Sequence, residues 1–198
     1  MASAVTITVS FTATIDFISP DISSGPFAVG DSASGSFKIN SSVLDENPLL
    51  TDGNYPGAVS NLVITFGDYA GTGGNPAPNE VHVYDGSVPY GDAFDVFASV
   101  NGDPAAGFFP PFFQLNLLAV EDTIFSSDAI PYGLSLADFE TANVVLRFDL
   151  YTDNQVVAHL TSLSYVPEPS TGPLVIAGLL ALAYRQRRRG RSSDGVQP

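Results

Sequence analysis

The stretch VTITVSFTATIDF, residues 5–17, decides the fold of this chain. Apolar side chains occupy every odd position, and polar residues, mostly threonine and serine, stand between them. The apolar positions are Val5, Ile7, Val9, Phe11, Ala13, Ile15 and Phe17. Because side chains alternate between the two faces of a strand, this pattern predicts one long strand with a buried face and a solvent-facing face. We expect so long a strand to be bent or shared between two sheets.

Seven shorter segments have the composition of strands, namely 34–40, 60–66, 80–84, 92–100, 112–119, 143–151 and 155–166. Gly, Pro, Asn and Asp residues separate them and favour turns, and Asp153-Asn154 has the form of a tight hairpin. Only residues 136–143 suggest a helical turn. Many short strands without interleaved helices predict an all-β fold, which we expect to be an antiparallel β-sandwich of jelly-roll type. Closure into a barrel is the alternative.

Charge and cysteine content exclude several classes of protein. The chain has 198 residues, enough for one ordinary domain, and a formal net charge of −14. Nineteen acidic residues lie at or before Asp153, whereas Lys38 and Arg147 are the only basic residues before Arg185. Such an acidic body repels nucleic acid, so we expect no nucleic-acid partner. The absence of cysteine excludes disulfides, thiolate nucleophiles and cysteine-based zinc sites.

The C-terminal region has a different character. Residues 172–184 carry no charge and are nearly all apolar. A membrane-spanning helix needs roughly twenty residues, so this run is short, but uncharged Ser170 and Thr171 can extend it. The arginines that follow favour the cytoplasmic side of a membrane and would stop transfer; they are Arg185, Arg187, Arg188, Arg189 and Arg191. We therefore predict a C-terminal apolar helix with a basic tail; a helix folded onto the body is the alternative.

A proline-rich linker joins this helix to the body. Pro167 and Pro169 should end the last strand, because proline cannot donate a hydrogen bond to a β ladder. Glu168 would then be displayed on a stiff, accessible segment. The whole motif comprises Val166, Pro167, Glu168, Pro169, Ser170 and Thr171.

The order of motif, apolar run and arginine cluster resembles the tripartite sorting signal of PEP-CTERM proteins. The resemblance covers residues 166–191 only, and the tail 192–198 is longer than usual. It implies that an exosortase-type membrane peptidase processes the chain near Pro-Glu-Pro. It also implies passage through the inner membrane of a Gram-negative bacterium, followed by delivery to the cell surface or extracellular matrix. A weaker resemblance to ectodomains of the same family covers residues 29–37 and 53–68 and implies no activity.

These observations divide the chain into four parts. Residues 1–4 are a signal-peptide remnant or the start, because Ala2-Ser3-Ala4 has the form of a signal-peptidase cleavage site, and we expect a signal peptide upstream. Residues 5–166 form the ectodomain and residues 167–191 the sorting signal. Residues 192–198 are expected to be a disordered tail.

The sequence offers little support for catalysis. The only imidazoles are His82 and His159, both in predicted strands, and His82 alternates with valines, which places it on the wet face. No serine lies in a G-x-S-x-G motif, so a hydrolytic triad is not indicated. A pair of carboxylates suffices for glycoside hydrolysis, but among twenty-one acidic residues some pair is always present. We therefore predict a protein that is not an enzyme.

One polar loop is a candidate calcium site. It contains Asp45, Glu46, Asp52 and Asn54, whose oxygens are the ligands that hard cations prefer. The spacing differs from that of an EF-hand. A solvated acidic loop is the simpler interpretation, and no other cofactor is expected.

The sequence as a whole predicts an exported, non-enzymatic protein of the cell surface or extracellular matrix. Its role would be structural or adhesive within the exopolysaccharide of a biofilm, in contact with polysaccharide or matrix proteins. One alternative is a carbohydrate-binding module that uses Tyr55, Tyr69, Tyr84 or Tyr90, all near predicted loops. A carbohydrate-active enzyme is the weaker alternative.

Overall fold

The computed structural model describes residues 5–74, 79–86, 91–109, 112–120, 123–148 and 154–168. Within these residues the chain forms ten strands and two short 3₁₀ helices, Pro20–Ile22 and Leu136–Asp138. The strands are β1 (Thr6–Ile18), β2 (Ser32–Asn40), β3 (Asp52–Pro56), β4 (Val59–Phe66), β5 (Tyr69–Gly73), β6 (Asn79–Tyr84), β7 (Ala93–Gly102), β8 (Phe112–Leu118), β9 (Thr141–Arg147) and β10 (Gln155–Pro167).

The strands build one antiparallel sheet that closes on itself. Strand β1 pairs with β2 on one edge and with β10 on the other, and each neighbour pairs onward in turn. The ring of described strands runs β1, β2, β4, β5, β7, β8, β9, β10 and back to β1, an eight-stranded barrel. Strand β7 closes the ring because it pairs with β8 along one edge and with the short β5 along part of the other.

Strands β6 and β3 extend the sheet beyond the ring. Strand β6 pairs with the first part of β7, from Ala93 to Ala98, while β5 takes its last residues, Val100 to Gly102. Strand β3 then pairs with β6. The sheet therefore forks at β7, and two polar-faced strands project from the barrel wall.

The all-β, antiparallel prediction is confirmed, but the β-sandwich is wrong. A sandwich needs two sheets with free edges, whereas here β7 joins both ends of the ring. Register shifts in the β1–β10 pair, between Thr12 and Ala13 and between Ile15 and Phe17, are irregularities of the bulge type. Bulges bend strands, which helps a sheet to curl until its edges meet.

The buried face of β1 fills the barrel as its alternation predicts. Ile7, Val9, Phe11, Ala13 and Ile15 are all at most 3% exposed. The Phe11 ring stacks on the Phe113 ring of β8 with centroids 5.5 Å apart. The centroid of the Phe37 ring on β2 lies 6.2 Å from that of Phe113. Phe17 departs from the prediction: it is 46% exposed because the shift after Ile15 turns its side chain outward.

Glycine is required where β2 passes Phe11. A Cβ atom on Gly35 would lie 2.7 Å from the Phe11 ring and 2.7 Å from the backbone oxygen of Val63. Real Cβ atoms do not approach so closely, so any side chain here would displace the central ring of the core.

Several element boundaries differ from the sequence-based expectation. Strands β3 and β5 were expected to be turns, because Gly, Asn, Asp and Pro disfavour strands. The helical turn expected at 136–143 is a single 3₁₀ turn, and β9 starts already at Thr141. The β9–β10 pair is antiparallel, with Gln155 opposite Arg147, but the turn itself includes residues outside the described ranges.

No helix among the described residues is long and apolar enough to cross a membrane. The apolar helix expected at 172–184 and the basic tail lie outside the described residues.

A buried carboxylate holds the loops at one end of the barrel. Asp92 is fully buried and accepts hydrogen bonds from three backbone N–H groups, those of Gly86 (2.8 Å), Ile124 (2.6 Å) and Phe125 (2.8 Å). The loop that follows β8 is also tied to the barrel by the Tyr55 hydroxyl, which donates to the carbonyl of Asp128. Asp92 therefore connects loops that are distant in the sequence.

We expect Asp92→Ala to lower the free energy of unfolding by about 3 kcal/mol, because three partly buried backbone N–H groups lose their carboxylate acceptor. Urea unfolding measures the change. Asp103→Ala, which removes an exposed carboxylate, is the matched control and should change stability little. Equal stability of the two variants would contradict this role of Asp92.

Candidate functional site

A row of rings crosses the outer face of strands β6, β7 and β8. Tyr84 and His82 stack with centroids 6.1 Å apart, and His82 meets Phe97 edge to face at 5.5 Å. Phe97 lies 6.3 Å from Phe112, and the guanidinium carbon of Arg147 on β9 lies 5.7 Å from the centroid of Phe112. These five residues, all partly exposed, are called the outer ring row.

Strand alternation explains why these side chains face outward. Their neighbours along the strands belong to the hydrophobic core and are at most 1% exposed: Val81 and Val83 on β6, Val96 on β7, Phe113 on β8 and Leu146 on β9. The core takes every second side chain, so the rings between them are left at the surface.

Polar side chains form a second line, which meets the ring row at His82 and diverges from it toward β8 and β9. Asn54, Asp95, Asn116 and Asn143 lie in direct register with His82 across β3, β6, β7, β8 and β9. The side-chain amide of Asn116 donates to a carboxylate oxygen of Asp95. These four residues are called the polar row. The two rows together place apolar ring surface next to amide and carboxylate groups.

Burial adjusts the ionisation of the groups on this face. It raises the pKa of the Asp95 carboxyl, and the bond from Asn116 and the proximity of His82 oppose that rise only in part. Burial also raises the pKa of the Tyr84 phenol, and the carboxylates of Asp52, Asp95 and Glu80 add to the effect. At neutral pH Tyr84 is therefore an uncharged donor.

Two buried polar atoms at the β3–β6 end of this face lack a hydrogen bond. They are Oδ1 of Asn54 and Nε2 of His82, both buried and in directly opposed residues of β3 and β6. Nε2 of His82 lies 3.3 Å from Oε1 of Glu80, and its Nδ1 lies 3.4 Å from the Tyr84 hydroxyl. Buried polar groups are rarely left unsatisfied, which makes these atoms notable.

Of the three described tyrosines among those considered from the sequence, Tyr55, Tyr69 and Tyr84, only Tyr84 is placed on this face. Tyr55 and Tyr69 are 6% and 4% exposed, and burial raises the pKa of each to about 12. They belong to the core and offer no platform for a ligand. Tyr90 lies outside the described residues.

The sequence pattern did not single out Phe97, Phe112, Asp95 or Asn116 as surface residues. Alternation within residues 92–100 contains a usable signal, since Phe94, Val96 and Ala98 are buried and Asp95 and Phe97 lie between them. The alignment of the rings across strands depends on register, which no single strand encodes.

The candidate calcium residues are only partly brought together. Oδ1 of Asp45 accepts hydrogen bonds from the backbone N–H groups of Asn47 and Asn54, and the N–H of Glu46 donates to the carbonyl of Asn54. Asp52 lies on β3 opposite Tyr84. In the described ranges no group of three or more His, Cys, Asp or Glu side chains is placed to hold a metal ion. The calcium site stays a prediction.

The start of the Pro-Glu-Pro motif rests on the barrel wall. Val166 and Pro167 end β10, opposite Thr8 and Ile7, and the N–H of Glu168 donates to the carbonyl of Thr6 at 2.7 Å. The Glu168 carboxylate accepts from Nζ of Lys38 at 2.7 Å and from the Thr8 hydroxyl at 2.9 Å. These contacts are called the Glu168 latch.

The latch differs from the free linker that the prolines predict. Pro167 occupies the end of the strand, and the following N–H, that of Glu168, continues the pairing with β1. Lys38 is the only lysine in the chain. Pro169, Ser170, Thr171 and the arginine cluster lie outside the described residues.

Comparison of the chain with protein-family models, with curated proteins and with solved structures gave no match.

We expect Lys38→Met to raise the pKa of Glu168. The bonds from Lys38 and Thr8 hold that pKa below its ordinary value, because they favour the carboxylate. The latch is therefore intact above the ordinary pKa of a glutamate and is lost as the pH falls through the lowered value. An NMR pH titration of the Glu168 side chain measures the change.

Lys38→Arg, which keeps the charge, is the matched control and should leave the pKa low. An unchanged titration in Lys38→Met would show that the ion pair does not hold Glu168.

Proposed function

We propose that this protein is an exported, non-enzymatic component of the cell surface or extracellular matrix of a Gram-negative bacterium. It is delivered by its C-terminal sorting signal, through an inner-membrane intermediate, and is structural or adhesive in an exopolysaccharide matrix. The observation that carries the proposal is the order of motif, apolar run and arginine cluster in residues 166–191. Each part has a physical role: recognition by a peptidase, residence in the membrane and arrest of transfer.

The position of the motif supports this proposal. The last described strand of the barrel ends at Pro167, and the latch residue Glu168 is the next in the chain. A cut after the latch would leave all ten described strands in the released part. Processing near Pro-Glu-Pro is thus compatible with an intact barrel.

The described contacts of the two histidines do not assemble a serine-type triad. His82 contacts Glu80, Tyr84 and Phe97, and His159 lies 3.6 Å from the carboxylate of Asp16. A serine-type hydrolase needs a nucleophilic hydroxyl within hydrogen-bond reach of the base. None of these described contacts is with a serine or threonine.

The acidic surface of the body supports residence outside the cell. Lys38 and Arg147 are the only lysine or arginine residues before Arg185, so an anionic lipid surface repels the body of the protein. The arginine tail is the part of the chain that such a surface attracts. The asymmetry favours a body that leaves the membrane once the tail is removed.

Replacement of Pro167, Glu168 and Pro169 by alanine should block processing, because the peptidase loses the motif that it recognises. In the natural producer the variant should accumulate uncleaved in the membrane fraction. Fractionation followed by immunoblotting measures the distribution of the protein.

Lys38→Met is the matched control, since it loosens the latch while it leaves the sorting motif unchanged, and it should be processed and released. Normal release of the triple variant would contradict the proposed sorting.

A further inference from the structure

We propose that the outer ring row and the polar row form a binding site for a neutral polysaccharide chain. The inference rests on the adhesive part of the proposed function and deepens it by naming the ligand class and the residues. It does not depend on the sorting signal, because the site lies entirely on the barrel and its projecting strands.

The rings supply the apolar half of such a site. Tyr84, His82, Phe97 and Phe112 follow one another at centroid distances of 5.5 to 6.3 Å. The row crosses the strands and is therefore elongated along one direction, which fits a linear chain better than a compact ligand. Aromatic rings that are partly exposed can pack against the C–H faces of sugar rings and bury apolar surface.

The amides supply the polar half. Asn54, Asn116, Asn143 and, beside them, Gln114 face outward on β3, β8 and β9. A primary amide both donates and accepts hydrogen bonds, as a sugar hydroxyl does, so the two are complementary.

Charge selects a neutral polymer over an anionic one. Glu80, Asp95 and Asp52 lie on or beside the rows, and the one cation, Arg147, stands at the far end over Phe112. The rest of the body is strongly acidic. An anionic polysaccharide would be repelled along most of the site, whereas a neutral chain meets rings, amides and carboxylate acceptors there without that repulsion.

The test uses the full chain, purified in detergent, and the exopolysaccharide of the natural producer separated by anion exchange into neutral and acidic fractions. Native gel electrophoresis with each fraction in the gel measures the retardation of the protein. We expect retardation by the neutral fraction, weakened about tenfold or more by Phe97→Ala and by Phe112→Ala. Tyr132→Ala, which removes an exposed ring outside the row, is the matched control and should bind as the unmodified protein does.

A second variant avoids loss of packing. The chain contains no tryptophan, so Phe97→Trp introduces a single indole into the row, and Tyr132→Trp introduces one elsewhere. Addition of the neutral fraction should change the fluorescence of Phe97→Trp and leave that of Tyr132→Trp unaltered.

Binding of the acidic fraction only, or of neither fraction, would overturn the inference. So would binding of the neutral fraction that Phe97→Ala and Phe112→Ala leave unchanged and that does not alter the fluorescence of Phe97→Trp. Release of reducing ends from the polymer would also overturn the inference, because it would indicate catalysis and not binding alone. None of these results would alter the localisation of the protein, so a failure of this inference is distinct from a failure of the proposed sorting.

Discussion

The structure depends on the burial of one face of β1 while both of its edges are paired. Its apolar side chains occupy the centre of the barrel, where Phe11 stacks on Phe113 of β8. Its edges bind β2 and β10, so the strand links the two sides of the ring. The same strand presents Thr6 and Thr8 at its start, and these residues, with Lys38, hold Glu168. The packing of the core, the closure of the ring and the contacts of Glu168 therefore all depend on β1.

Closure of the ring determines which surfaces remain for function. A closed barrel has no free edge within its ring, so binding by the ring has to use the outer faces of its strands or the loops at its ends. One end is organised by Asp92 and its three backbone donors. The projecting strands β3 and β6 widen the outer face beside β7, and the rings and amides are collected there.

Local pattern predicted the fold class and the orientation of β1, because alternation is a property of adjacent residues. The predicted burial of Phe17 was wrong, because a bulge in the pairing of β1 with β10 reverses the orientation of its side chain. Strands β3 and β5 were missed because their glycines, Asp52, Asn54 and Pro56 favour turns, and only pairing with β6, β4 and β7 makes them extended. Barrel closure was only the alternative to the sandwich for a similar reason, since the β5–β7 contact joins distant segments.

The candidate site was predictable only in part. Alternation with valines places His82 outward, but the neighbours that complete the row come from β7, β8 and β9 and depend on register. Glu168 was singled out by its motif, whereas its bond to Lys38 joins residues 130 positions apart. Periodicity within a strand contains no information on such contacts.

The most direct test of the central claim, an exported barrel separated from its arginine tail, is the intact mass of the protein recovered from the surface and medium of its natural producer. We predict a mass that corresponds to a chain ending in the Pro-Glu-Pro region, without the arginines from Arg185 to Arg191. A chain that retains those arginines would contradict release into the matrix and would indicate a protein held in the membrane.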